Sequence, residues 1–300
     1  MPFFFIFRAL FYSFGVASSM RVTCMAVSFL SFVTNILFPG TCLLCQHASR
    51  RDLDLCKPCE HDLPWLKQVC SQCALILPNP YTQSDSFLRV GAEGQAAGVY
   101  TKIHEDGELP MAATPKNEAR RVYSVLCGNC LNHPPPFLET RALFHYQHEI
   151  SYLLTALKFN HQLAIARTMG HLMADHLINH LNTFPDYVIP MPLHPSRLRE
   201  RGFNQALELA RPLAKQLKIP LEIKACQRIR STAAQTSINR CQRAENVKNA
   251  FLIDPAFSAN YVAILDDVVT TGHTVSALAE ALVQYNVKRV DVWCCARTQK

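Results

Sequence analysis

The stretch Tyr261-Val262-Ala263-Ile264-Leu265-Asp266-Asp267-Val268-Val269-Thr270-Thr271-Gly272-His273-Thr274-Val275-Ser276 decides the fold of this chain. Val262–Leu265 is an unbroken apolar run, as expected of a parallel strand covered on both faces. Two adjacent carboxylates follow at the strand's C-terminal end, where open α/β sheets bind their ligands. Such a pair suits the vicinal hydroxyls of a ribose, directly or around a magnesium ion. Thr270, Thr271 and Thr274 supply hydroxyls, and Gly272 lets the backbone come close to an anion. The helix predicted over Thr274–Tyr285 presents its first amides to a phosphate. Ribose and 5′-phosphate are thus read together by Asp266–Thr274. The plainer alternative, a strand–turn–helix whose Asp and Thr residues only cap the helix, calls for neither two acids nor three threonines around one glycine.

Working outward, strand and helix signals alternate, which means a parallel sheet with crossover helices. Asp186–Leu193 reads as a strand ending in Pro190 and Pro192, and Arg289–Cys295 as a final strand. Phe144–Phe159, Leu163–Leu181 and Asn204–Leu217 carry apolar residues at helical spacing. Arg228–Asn249 is polar and basic with little periodicity.

The N-terminal half has another character. Of the 13 cysteines, eight form four C-x-x-C pairs: Cys42/Cys45, Cys56/Cys59, Cys70/Cys73 and Cys127/Cys130. In a chain of 300 residues this pattern favours structural zinc held by thiolates over a secreted disulfide framework. Four pairs suit two zinc ions, or one ion and a spare pair, and the spacing does not say which pairs combine. A closed four-thiolate site leaves no open position for catalysis. Reduced thiolates point to the cytoplasm. Residues 39–138 form this module, with a polar, Gly- and Pro-containing insertion at 79–121, and His133-Pro134-Pro135-Pro136 closes it as a stiff linker. The second region is 141–300.

Residues 1–38 form an apolar leader whose only charges are Arg8 and Arg21. A start at Met20 or Met25 is the simplest account, because export would part thiolate zinc sites from a reducing space. A membrane anchor and a cleaved signal are the alternatives. The composition is that of an ordinary globular chain, 49% apolar, with 30 basic against 23 acidic residues. The surplus of seven positive charges is compatible with phosphate ligands or nucleic acid and selects neither.

The motif at Asp266–Thr274 resembles the type I phosphoribosyltransferase signature, and the chain as a whole resembles the ComF/GntX family, in which a zinc module precedes such a domain. Pro190-Met191-Pro192-Leu193-His194 with Arg197–Gln205 resembles that family's most characteristic block. Arg228–Thr232, Gln235, Arg240, Arg243, Asn246 and Lys248–Phe251 resemble its basic loop, and Leu157-Lys158-Phe159 its short helix motif. The leader and the 79–121 insertion depart from the pattern.

The resemblance implies a type I phosphoribosyltransferase-like parallel sheet flanked by helices, behind a small Cys-rich zinc module. It implies phosphoribosyl diphosphate (PRPP) with magnesium as ligand, held by Asp266, Asp267, Thr270, Thr271, Gly272, His273 and Thr274. Arg197 and Arg201, with Arg199 and His194, meet the diphosphate, and the basic loop closes as a lid. Transfer of the phosphoribosyl group to an unidentified acceptor is one functional expectation. The other is a non-catalytic factor that handles single-stranded DNA in uptake or utilisation, alongside DNA-uptake or recombination proteins.

Overall fold

The computed structural model describes residues 40–77, 100–102, 124–230 and 250–299. The leader, most of the 79–121 insertion and the basic-loop residues 231–249, Gln235, Arg240 and Arg243 among them, lie outside the described residues. The chain divides into two compact units between His61 and Asp62.

In the first unit, the first C-x-x-C pair lies in a turn, and the second straddles the start of the short helix α1 (Lys57–His61), which carries Cys59. Backbone bonds from Cys42 N to His47 O and from Leu43 N to Asp54 O hold this segment together, at 2.8 and 2.9 Å.

The second unit is built on four parallel strands: β3 (Glu139–His145), β4 (Tyr187–Pro190), β7 (Tyr261–Val269) and β8 (Arg289–Arg297), in the spatial order β3-β8-β7-β4. Before them come β1 (Tyr100–Lys102) and β2 (Ser124–Leu126), an antiparallel pair, and the short helix α2 (Gly128–Asn132). Helices α3 (His148–Asn160) and α4 (Leu163–Ile178) carry the chain from β3 to β4. Helices α5 (Pro195–Arg201) and α6 (Gln205–Leu217), then the two-stranded ribbon β5 (Cys226–Arg228) and β6 (Phe251–Ile253), lead to β7. Helix α7 (His273–Gln284) crosses from β7 to its neighbour β8.

β7 and β8 are the two inner strands, and their sequences show it. Val262–Leu265 and Val292–Ala296 are buried on both faces, with Trp293 fully enclosed. β3 overturns the helical reading of Phe144–Phe159. Phe144 and His145 end a strand paired in parallel with β8, and the helix begins only at His148. The outer edge of β3 is covered, since Leu66 N donates to Leu143 O and His145 N to Pro64 O, both at 2.8 Å.

Helix α6 buries Ala206, Leu209, Ala210, Leu213 and Ala214, a stripe at helical spacing. It packs on α4 so closely that a Cβ at Gly170 would lie 2.5 Å from both Leu209 O and Pro212 Cγ. Only glycine permits that approach.

Candidate functional site

The site grows from the C-terminal ends of β7 and β4. Asp266 and Asp267 are consecutive in β7 and so leave the strand on opposite faces. Asp267 is 9% exposed, and its Oδ2 lies 2.6 Å from the Lys158 ammonium at the end of α3. Beyond this ion pair Oδ2 has no hydrogen-bond partner. Asp266 Oδ1 accepts the Asp267 amide at 2.9 Å. Burial, and next the neighbouring Asp267 charge, push the Asp266 carboxyl well above the usual carboxylate range.

Two cations from separate segments act on this pair. Lys158 is one. Arg228, at the end of β5, is held below the ordinary guanidinium value by burial and then by the charge of Arg197 beside it, with Asp266 opposing both. Arg197 comes from α5, and the Arg228 guanidinium also lies 5.7 Å from the centre of the Phe251 ring.

The loop after β4 is fixed at both ends. The His194 ring caps α5 by accepting the Ser196 amide at 3.3 Å. Asn204 caps α6, its Oδ1 accepting from Ala206 N and Leu207 N, while its Nδ2 donates to Met191 O at 3.0 Å. Asn204 is thus a helix cap and also a tether for the block that carries the arginines. The structure sets Arg197 beside Arg228. Arg201 bonds instead to Gln205 Oε1 at 3.0 Å, and Arg199 is exposed. A cavity of about 670 Å³ opens beside this loop, lined by His194, Phe203, Asn204, Ile223, Arg228 and Ile229 among others.

Thr270 and Thr271 follow β7, and Gly272 turns the chain into α7 with φ +84°. That left-handed value favours glycine on conformational grounds alone, since a Cβ there would meet nothing within 4 Å. Ser276 N donates to Gly272 O at 2.9 Å and closes the first helical turn. Thr270, Thr271, Gly272 and His273 line a second cavity, of about 440 Å³. The first amides of α7 thus follow directly on the glycine turn.

The eight paired cysteines come together as two groups of four, which settles the combination that spacing left open. Cys42, Cys45, Cys56 and Cys59 form one, and Cys70, Cys73, Cys127 and Cys130 the other, each with its sulfurs within 4.8 Å of one another. Tetrahedral zinc at a Zn–S distance of about 2.3 Å sets its sulfurs about 3.8 Å apart. Cys45 and Cys56 Sγ lie 3.7 Å apart, and Cys73 and Cys127 Sγ 3.6 Å. Crowding sets the thiols against one another. Hydrogen bonds from Cys130 and Cys73 pull Cys70 far below the thiol range, and the Cys70 and Cys73 bonds push Cys130 far above it. Four thiolates so close need a cation between them, and the donor set fits zinc. Cys226, Cys294 and Cys295 are buried and belong to the packing.

Two residues of consequence escape a reading by motif. Lys158 stands in the short helix motif, but nothing in the sequence aims it at Asp267. Arg297, 4% exposed at the end of β8, carries no motif at all.

An open parallel sheet with an acid pair and a glycine turn after an inner strand, in a chain that also carries two four-cysteine clusters, defines a type I phosphoribosyltransferase-like protein with zinc-binding cysteines. The chain belongs to the ComF/GntX family. The profile of the double zinc ribbon domain matches residues 33–86. DNA utilization protein YhgH of Escherichia coli (strain K12) is 35% identical over 176 residues, 57% of this chain and 78% of that protein. Competence protein F of Haemophilus influenzae is 34% identical over 182 residues, 58% of this chain and 80% of that protein. Competence protein ComFC of Streptococcus pneumoniae is 25% identical over 158 residues, 52% and 67% of the two chains. A purine phosphoribosyltransferase from Pyrococcus horikoshii Ot3 overlaps 43% of this chain and 71% of its own at 18% identity and a TM-score of 0.27, a likeness on which nothing further rests. Among the described residues no helix is long and apolar enough to cross a membrane.

Proposed function

We propose that this chain binds PRPP with magnesium at Asp266–Thr274 and that its two zinc ions are structural. The observation that carries the reading is the acid pair at the end of an inner parallel strand, followed at once by the Gly272 turn and the start of α7. Asp266 and Asp267 take the ribose hydroxyls, around magnesium or directly. Thr270–Thr274 take the 5′-phosphate. Arg197, with Arg201 of the same block, meets the diphosphate, and Lys158 and Arg228 add positive charge on that side. Magnesium offsets the diphosphate charge and makes it a better leaving group. Phosphoribosyl transfer to an acceptor is the activity this arrangement would support.

Calorimetric titration of the full, zinc-loaded chain with PRPP tests the binding reading. Magnesium-dependent, micromolar affinity is expected, and the double change Asp266→Asn, Asp267→Asn should weaken it at least 100-fold, about two decades for two charged contacts. Unaltered affinity in that variant, or no heat from the folded wild type, rejects the site.

A second reading is favoured by the relatives, which are named for DNA utilisation and competence. On this reading the chain handles single-stranded DNA beside DNA-uptake or recombination proteins, with PRPP as a signal in place of a substrate. DNA affinity that falls steeply with salt supports it, and charge reversal of Arg240 and Arg243 should abolish it. No binding of an oligonucleotide at low salt sinks it.

A further inference from the structure

The two thiol clusters hold different places. The first lies in the unit that ends at His61. The second is built into the sheet unit, and one buried side chain joins it to the phosphate loop. The Arg297 guanidinium donates from Nε to Cys73 O at 2.8 Å, and Cys73 is itself a member of the cluster. From Nη1 it donates to Val269 O at 3.1 Å, to Thr270 O, and to Thr298 O at 3.0 Å. Val269 and Thr270 open the loop that ends at Gly272. A buried guanidinium satisfied by main-chain carbonyls fixes the spacing of the segments that supply them.

Other bonds brace the same junction. Gln299 accepts the Ile76 amide at 2.7 Å and donates to Ala74 O at 3.4 Å. Thr140 donates from Oγ1 to Gln72 O at 2.7 Å, and Thr140 N to Ser71 O at 3.0 Å. Cys127 N donates to Cys70 Sγ at 3.3 Å. The cavity of about 440 Å³ closes the circuit, with Thr270, Thr271, Gly272 and His273 on its loop side and Cys73 and Cys130 on its cluster side.

We infer that zinc at Cys70, Cys73, Cys127 and Cys130 sets the geometry of the Thr270–Thr274 phosphate loop through Arg297, which acts as a positioning residue. Metal in the cluster fixes the Cys70–Ala74 turn, the turn fixes the Cys73 carbonyl, and Arg297 carries that constraint to Val269 and Thr270. Loss of the metal frees one end of the brace and lets the loop open. In its consequence for ligand affinity the inference rests on the PRPP reading above; the mechanical coupling does not.

The test uses the full chain and three readouts: zinc content, hydrogen exchange at residues 269–275, and calorimetry with PRPP and magnesium. Arg297→Lys, which cannot span the same carbonyls, is expected to keep both zinc ions. Its loop amides should exchange at least tenfold faster and its PRPP affinity should fall at least tenfold. Cys127→Ser with Cys130→Ser should lose one zinc and show the same loop behaviour, and adding Arg297→Lys to it should add little. Gln299→Ala, at a half-exposed position, should give the same pattern at two- to fivefold and carries the test where Arg297→Lys does not fold. A merely structural role would speed exchange across the whole sheet, whereas positioning confines it to the loop. Loop exchange within twofold of wild type in the one-zinc protein, or in folded Arg297→Lys, overturns the inference. Absence of PRPP binding by the wild type rejects the ligand reading instead, and the exchange data still decide the coupling.

Discussion

Buried carboxylates stand at both ends of the same sheet, and they are treated in opposite ways. At the N-terminal end, Asp291 is fully enclosed and saturated. The Tyr261 hydroxyl donates to its Oδ2 at 2.5 Å, and Arg289 donates to Oδ1 and Oδ2 at 3.2 and 2.8 Å, with the guanidinium 4.2 Å from the centre of the Tyr261 ring. Three rungs further along the β7–β8 ladder, Asp266 has one backbone donor and a strongly raised carboxyl, and Asp267 leans on a single lysine. The first arrangement is complete within the chain. The second leaves two acids crowded together beside a concentration of cations, which is costly unless a ligand or metal completes it. The difference separates an acid that holds the fold from acids held ready for something else.

The comparison breaks first at its stable end. Asp291→Ala strands the Tyr261 hydroxyl in the interior and takes the enclosed partner from the half-exposed Arg289, and should cost about 3 kcal/mol, read from the urea midpoint. Affinity for PRPP in the fraction that remains folded should stay within about twofold, about 0.4 kcal/mol. A large loss of affinity with little loss of stability would show that the two ends are not distinct.

Lys158→Met probes the other end. It leaves Asp267 without its cation and should destabilise by about 2 kcal/mol, less than a fully enclosed pair because both side chains keep some exposure. PRPP affinity should fall by roughly tenfold, which is about 1.4 kcal/mol. No change in either quantity would mean that the ion pair is incidental.

Asp266 supplies a pH signature. Its folded carboxyl binds its proton more tightly than the unfolded chain does. The stability it contributes is therefore complete below the ordinary value of 3.8 and is lost as pH rises from there through the raised folded value. Asp266→Asn should thus raise the urea midpoint at neutral pH, and the advantage should vanish in acid. Magnesium and PRPP require the ionised form, so binding should release a proton and strengthen with pH through the same window. Calorimetry in buffers of different ionisation enthalpy counts that proton. A wild type whose affinity is flat across mildly acidic pH contradicts the assignment.

The smallest effect is expected at Gly272. Open space surrounds the position of a Cβ, so Gly272→Ala should cost only the conformational penalty of φ +84°, about 1–2 kcal/mol of loop order. Titration should show a several-fold weaker affinity. A full loss would point to a direct clash with ligand.

Much of this was legible because local chemistry wrote it. β7 occupies Tyr261–Val269 as its apolar run and its acids require, and α7 begins within one residue of the expected start. β3 was hidden, because Leu143 and Phe144 stand only five and four positions before the helix that begins at His148 and blend into its periodicity. Which thiols join was illegible for another reason. Cys73 and Cys127 are 54 residues apart with an insertion between them, and only the packing of the two turns on each other decides their company. Lys158 and Arg297 are long-range partners of β7 and the loop after it, and single basic residues far away in sequence give no local sign of what they face.

The central claim, a PRPP site at Asp266–Thr274, is tested most directly by residue-resolved hydrogen exchange on the full zinc-loaded chain with magnesium, with and without PRPP. Ligand-dependent protection concentrated at residues 266–275 is expected. Protection confined to other segments, or none at saturating PRPP, would contradict it.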